Sequence, residues 1–185
     1  MTRARTLTLV VVSVAALGLT ACSSSTSSPT TTSASNPSGS TTPASGAPTA
    51  IPAADLSPAG TAGTAPTVTV PSGKPPTSLE IADLITGTGP AAKAGDSVTV
   101  QYVLATYSSG KTIQSSWTGQ PFTFTLDARP EQVIPGWDQG VLGMQVGGRR
   151  ELIIPPVLGY GAQSPGAGIS ANDTLVFVVD MLKIN

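Results

Sequence analysis

Histidine is absent from these 185 residues, and cysteine occurs once, at position 22. Without histidine there is no Ser-His-Asp triad, no imidazole proton shuttle and no histidine-containing zinc site. One cysteine cannot close a disulfide within the chain or supply a cysteine-rich metal centre. Nothing in the sequence therefore calls for a metal or a cofactor. Charge is also scarce. Charged residues make up 10% of the chain, nine basic against ten acidic, where ordinary globular domains hold roughly 25%. That balance offers no basic face for a phosphate backbone, so no nucleic-acid partner is expected. The shortage is uneven, and its distribution divides the chain into three parts.

Residues 1–21 read as an address. Arg3 and Arg5 give a short positive start, and Leu7 to Leu19 form an uncharged apolar run. Thirteen residues are too few for a bilayer core, which needs roughly 20, but they fit the apolar region of a secretory signal peptide. The run ends in Leu19-Thr20-Ala21-Cys22, which resembles the lipobox of bacterial lipoproteins. Such a site implies a diacylglyceryl group on the Cys22 sulfur and cleavage just before it. The expected location is extracytoplasmic, lipid-anchored to the bacterial cell membrane. Two acyl chains on one residue anchor stably where one is marginal. Cleavage would leave seven basic and ten acidic side chains, a formal charge near −3, so lipid rather than basic charge would hold the membrane.

From Ser23 to Pro76 the chain is almost wholly Ser, Thr, Pro, Ala and Gly, with Asp55 and Lys74 as the only charges and no aromatic residue. Such a composition buries too little apolar surface to offset its conformational entropy, so residues 22–76 read as a lipidated cysteine and a disordered linker. As a flexible coil it would span roughly 40 Å.

Beyond Thr77 the chemistry changes, and every Phe, Tyr and Trp lies there. Residues 77–185 suffice for one modest core. Ser97 to Leu104 alternates apolar with polar, as a strand with one buried face does. Pro121 to Leu126 places Phe122, Phe124 and Leu126 on one side. Arg150 to Ile154 and Thr174 to Ile184 read as further strands, with Arg149 and Arg150 as a solvated strand start. Between them, Glu131 to Leu142 carries Val133, Ile134, Trp137, Val141 and Leu142 at helical spacing. Pro135 can occupy the first helical position, where its missing N–H costs nothing. Two glycines make this a poor helix alone, so packing must hold it. The result is an α+β domain, an antiparallel sheet curled around one short helix.

The segment VIPGWDQGVLGMQVGGRRELIIPPVLGYGA, followed by TLVFVVDMLKI, resembles the FKBP-type peptidyl-prolyl cis-trans isomerases over about residues 78–185. The resemblance implies an antiparallel half-barrel on a short helix and an aromatic-walled pocket for a prolyl ring. It places Trp137 at the pocket floor and Tyr102, Phe122, Val133 and Phe177 in the wall. Ile134 matches the residue whose backbone N–H holds a ligand carbonyl. Tyr160, within Gly159-Tyr160-Gly161, matches the tyrosine whose hydroxyl bonds the ligand, and Ile169 an apolar residue of the overhanging loop. The implied clients are proline-containing polypeptides, and a monomer on its tether is the simplest expectation for the oligomeric state.

One stretch departs from the family. Where the family has Phe-Asp-Ser-Ser, this chain has Ile113-Gln114-Ser115-Ser116. The arginine that commonly pairs with that aspartate is missing too, which is coherent, since losing only one partner would strand a partly buried charge. Reduced turnover toward some substrates and weaker macrolide binding are the expectations. The competing reading is a prolyl-peptide binding module or chaperone with little turnover. A strong gain in activity on Gln114→Asp would favour it.

Overall fold

The computed structural model describes residues 46–185. The expected signal peptide, Cys22 and the first half of the expected linker lie outside them. Among the described residues, seven strands and one α-helix make up the fold, a mostly antiparallel sheet with a single short α-helix, as the α+β reading expected. The strands are β1 (Thr49–Ala50), β2 (Glu80–Ile85), β3 (Ser97–Thr106), β4 (Thr112–Ser115), β5 (Phe122–Thr125), β6 (Arg149–Ile154) and β7 (Leu175–Ile184). The helix α1 is Pro135–Val141, between β5 and β6. Strand order is β1-β2-β6-β7-β3-β4, and β5 pairs with β3 as well. Long β3 lies along β7 on one side. Its other side is shared, with β5 opposite Ser97–Val100 and β4 opposite Val103–Ala105.

Period-two alternation gives the sheet two faces of different chemistry. Leu152 and Ile154 of β6, Phe177 and Val179 of β7, and Val98, Val100 and Leu104 of β3 enter one core with Trp137 and Val141 of α1. Helix and sheet approach closely because two helical positions lack side chains. A Cβ on Gly136 would lie 2.4 Å from Ile154 Cγ2, and one on Gly140 would lie 2.7 Å from Leu152 Cδ2. The glycines that weaken α1 in isolation thus let it dock, so packing replaces propensity as its support.

The opposite face corrects the linker reading. Residues 46–76, expected to be disordered, lie against it as a strap. Thr49 and Ala50 pair in parallel with Glu80 and Ile81, and Ile51 is buried with Ile153 and Val176, joined by Leu56, Val68 and Val70. A few apolar anchors spaced through a Ser/Thr/Pro/Ala stretch therefore suffice to seat it. Polar contacts add to them. The Ser57 N–H and hydroxyl donate to the two carboxylate oxygens of Glu151 at 2.8 and 2.7 Å, while Ser57 Oγ accepts the Thr69 N–H at 2.9 Å. Burial pushes the Glu151 carboxyl above its ordinary range, and the two Ser57 hydrogen bonds oppose that rise.

Arg149 and Arg150 are not solvated; each is buried and faces an aspartate directly across the sheet. Arg149 sits opposite Asp180 of β7 and Arg150 opposite Asp83 of β2. Arg149 grips Asp180 through Nε and a terminal nitrogen at 2.6 and 2.7 Å, and also donates to the strap carbonyls of Ala59 and Thr64 at 2.7 and 2.6 Å. Arg150 pairs with Asp83 and donates to the Gly140 and Leu142 carbonyls. It thereby satisfies acceptors left over at the C-terminal end of α1. Alternation sends one arginine to the strap and its neighbour to the helix.

Candidate active site

The site grows from the start of α1. Pro135 opens the helix, and the Ile134 carbonyl accepts the Trp137 N–H at 2.9 Å. This delivers the Trp137 indole, 4% exposed, into the hollow between helix and sheet. Two side chains fix the preceding loop. Gln132 Oε1 accepts the Thr125 N–H and Asp138 Oδ1 accepts the Asp127 N–H, both at 2.8 Å. Val133 and Ile134 are therefore held beside β5. The Ile134 N–H donates to no partner among the described residues.

Rings close around the indole nearly edge-on. Trp137 lies 5.4 Å from Tyr102 at 86°, 5.2 Å from Phe177 at 85° and 6.0 Å from Phe122 at 79° between ring planes. Edge-to-face packing sets positive ring edges against negative faces, which favours this box beyond the area it buries. Tyr160 follows a 3₁₀ turn at Pro156–Leu158. Gly161 beside it has φ +56°, a left-handed conformation that glycine adopts without strain. Its N–H bonds the Pro156 carbonyl at 2.9 Å and its carbonyl accepts the Asn172 N–H at 2.7 Å. The backbone bracing holds the half-exposed Tyr160 ring at the pocket mouth.

The resulting pocket, of about 190 Å³, is lined by Tyr102, Gln114, Phe122, Gln132, Val133, Ile134, Trp137, Tyr160 and Phe177. The structure thus gathers eight of the residues singled out from sequence, although they come from four strands and loops and one helix. Ile169 and Ile113 are not among the lining residues. Ile169 is 7% exposed and joins the main core, and Ile113 packs partly buried against that core. Exposed Gln132 does line the pocket and was not foreseen, because a polar residue beside the VIPGW run gives no sign of bordering a site. No lining side chain carries a full charge at neutral pH. The Tyr102 hydroxyl is pushed above its ordinary range by burial and then by Tyr160, so it remains a neutral hydrogen-bonding group. The chemistry open to such a site is noncovalent: it desolvates an apolar ring and offers a few neutral donors at the edge.

An open β-sheet folded on a short helix, with an aromatic box at their junction, defines a class of small-ring binding pockets. The comparisons with known proteins narrow it. Residues 89–182 match the family model for FKBP-type peptidyl-prolyl cis-trans isomerases. An FK506-binding protein of Streptomyces anulatus is 50% identical over 121 residues, covering 64% of this chain and 96% of that protein. Among solved structures, FkpA of Escherichia coli is similar at a TM-score of 0.53 and 38% identity, covering 60% of this chain and 51% of FkpA, so the chain spans about half of that protein. A peptidyl-prolyl cis-trans isomerase of Pseudomonas syringae gives 0.51 and 33%, covering 58% of this chain and 75% of that one. The chain belongs to the FKBP-type peptidyl-prolyl cis-trans isomerase family, and its enzymatic activity is peptidyl-prolyl cis-trans isomerisation.

Proposed function

We propose that this isomerase speeds Xaa-Pro rotation in polypeptides outside the cytoplasm while held to the membrane by a lipid on Cys22. The observation that carries the mechanism is the uncharged aromatic box around Trp137. Rotation about a peptide bond faces a barrier of about 18–20 kcal/mol because resonance must be broken. A twisted amide has lost part of that resonance, so its carbonyl and nitrogen are less dipolar. A dry apolar pocket disfavours the planar amide more than the twisted one, and this differential binding lowers the barrier. In this reading Trp137 underlies the prolyl ring, and Tyr102, Phe122, Val133 and Phe177 wall it. The Ile134 N–H and the Tyr160 hydroxyl receive carbonyl oxygens. No covalent intermediate is needed. Uncatalysed exchange takes tens to hundreds of seconds, slow enough to limit folding.

The test is NMR exchange of a Leu-Pro peptide with catalytic amounts of the full chain. Acceleration is expected, and Tyr160→Phe is expected to lower kcat/KM about threefold to tenfold, the worth of one neutral hydrogen bond. Peptide binding without faster exchange would instead establish a binding module. The lipid anchor has its own measurement. Cys22→Ser is expected to move the protein expressed in a bacterium with lipoprotein processing from the membrane pellet to the soluble fraction. An unchanged distribution would remove lipidation as the anchor.

A further inference from the structure

Besides the Tyr102 and Tyr160 hydroxyls, two carboxamides line the pocket, those of Gln132 and Gln114. Gln132 is tied to Thr125, which pairs with Ser97 at the start of β3. Gln114 pairs with Leu104, seven residues further along the same strand. Tyr102 lies between them. The Gln132 carboxamide oxygen already accepts the Thr125 N–H at 2.8 Å, while its NH₂ has no partner among the described residues. Gln114 is exposed on β4, and its carboxamide has no partner among the described residues. It retains both a donor and an acceptor.

The backbone beneath Gln114 is nonetheless held firmly. Just beyond β4, the Ser116 N–H donates to the Tyr102 carbonyl at 3.0 Å. The Ser116 hydroxyl accepts the Tyr102 N–H at 2.8 Å and donates to the Gln101 carboxamide oxygen. Ser115 Oγ accepts the Trp117 N–H at 3.2 Å. A free polar tip on a pinned strand can bind at little ordering cost, because only the side chain must be fixed.

We infer that Gln114 is a specificity-determining residue, which selects clients with a neutral hydrogen-bonding side chain immediately before the proline. The inference rests on the isomerase reading above. In this proposal the prolyl carbonyl is held at the Ile134 N–H, on the Gln132 side of the lining, and the preceding residue leaves toward Gln114. Consecutive Cα atoms lie about 3.8 Å apart, so a side chain one residue from a seated prolyl ring stands at the pocket rim. There the Gln114 carboxamide meets it. Glutamine, asparagine, serine and threonine can each satisfy that carboxamide. An aliphatic side chain leaves it unpaired at the rim and gains nothing from it. The lining carries no charge to sort glutamate from lysine. Arg129, Asp127 and Glu131 of the loop before α1 are outside the lining and are paired with one another at 2.9 and 3.8 Å.

The test compares the full chain with Gln114→Leu and Gln114→Glu, using NMR exchange of Ala-Xaa-Pro-Phe peptides with Xaa glutamine, leucine, glutamate or lysine. The native chain is expected to treat glutamate and lysine peptides within about twofold of each other. Gln114→Leu is expected to lower the glutamine-to-leucine ratio of kcat/KM at least threefold. Gln114→Glu is expected to raise the lysine-to-glutamate ratio at least fivefold at low salt, an effect that added salt diminishes. A glutamine-to-leucine ratio unmoved by Gln114→Leu overturns the inference, even where the absolute rate falls. A lysine-to-glutamate ratio unmoved by Gln114→Glu does so as well. Absence of acceleration of every peptide by the native chain would overturn the isomerase reading itself, and this inference with it.

Discussion

Arg149→Ala is expected to destabilise the full chain by about 3–5 kcal/mol, the cost of stripping one partner from a buried ion pair. The guanidinium is 1% exposed and sits where three parts of the molecule meet. It belongs to β6, it pairs with Asp180 of β7, and it donates to the Ala59 and Thr64 carbonyls of the strap. Its removal leaves the Asp180 carboxylate buried without its counter-charge and two strap carbonyls without a donor. Urea unfolding, followed by far-UV circular dichroism, reads the loss. The paired replacement Arg149→Met with Asp180→Leu is expected to recover most of it, since no uncompensated charge then remains. A loss under 1 kcal/mol for Arg149→Ala would mean that solvent reaches Asp180 once the arginine is gone. The strap would then be a loose cover rather than part of the fold.

This pairing also shows where sequence reading stops. Alternation exposed β3 and β5, and Pro135 with its flanking apolar residues exposed α1, because these signals are local. The aromatic wall became legible through a motif, since Trp137, Tyr160 and Phe177 are far apart in the chain. Arg149 and Arg150 looked solvated because adjacent charges usually are. Their partners, Asp180 and Asp83, are fixed by strand register, which no local pattern reveals. The strap was hidden for a different reason. Ile51, Leu56, Val68 and Val70 are too sparse to form a periodic pattern, and they bury only because β6 and β7 present Ile153 and Val176 on the face away from α1. Composition averaged over residues 23–76 therefore described an unfolded chain. Gln132 was missed because its place at the pocket edge follows from a bond to Thr125, across a loop.

Trp137→Leu is expected to lower kcat/KM for a Leu-Pro peptide more than tenfold, the largest catalytic effect of any single substitution in the pocket. Lost stability could imitate that result, since trimming a buried aromatic costs a few kcal/mol. Phe124→Leu separates the two. Phe124 is 2% exposed and packs 5.5 Å from the Trp137 ring, yet it does not line the pocket. It carries comparable core burial without facing a client. Both variants are expected to unfold at lower urea concentration than the native chain. Exchange measured well below both midpoints is expected to stay within about threefold of native for Phe124→Leu while collapsing for Trp137→Leu. The physical distinction is what each ring excludes. Phe124 fills space beneath the pocket, and neighbouring apolar groups can partly close around a leucine there. Trp137 supplies the flat, dry surface against which a prolyl ring and its twisted amide would rest, and leucine leaves room for water against that amide. Water restores the solvation that favours the planar, dipolar form, so the differential binding disappears even where the peptide still binds. Equal losses of activity in the two variants would show that the rate follows the rigidity of the whole aromatic cluster rather than the surface presented by the indole.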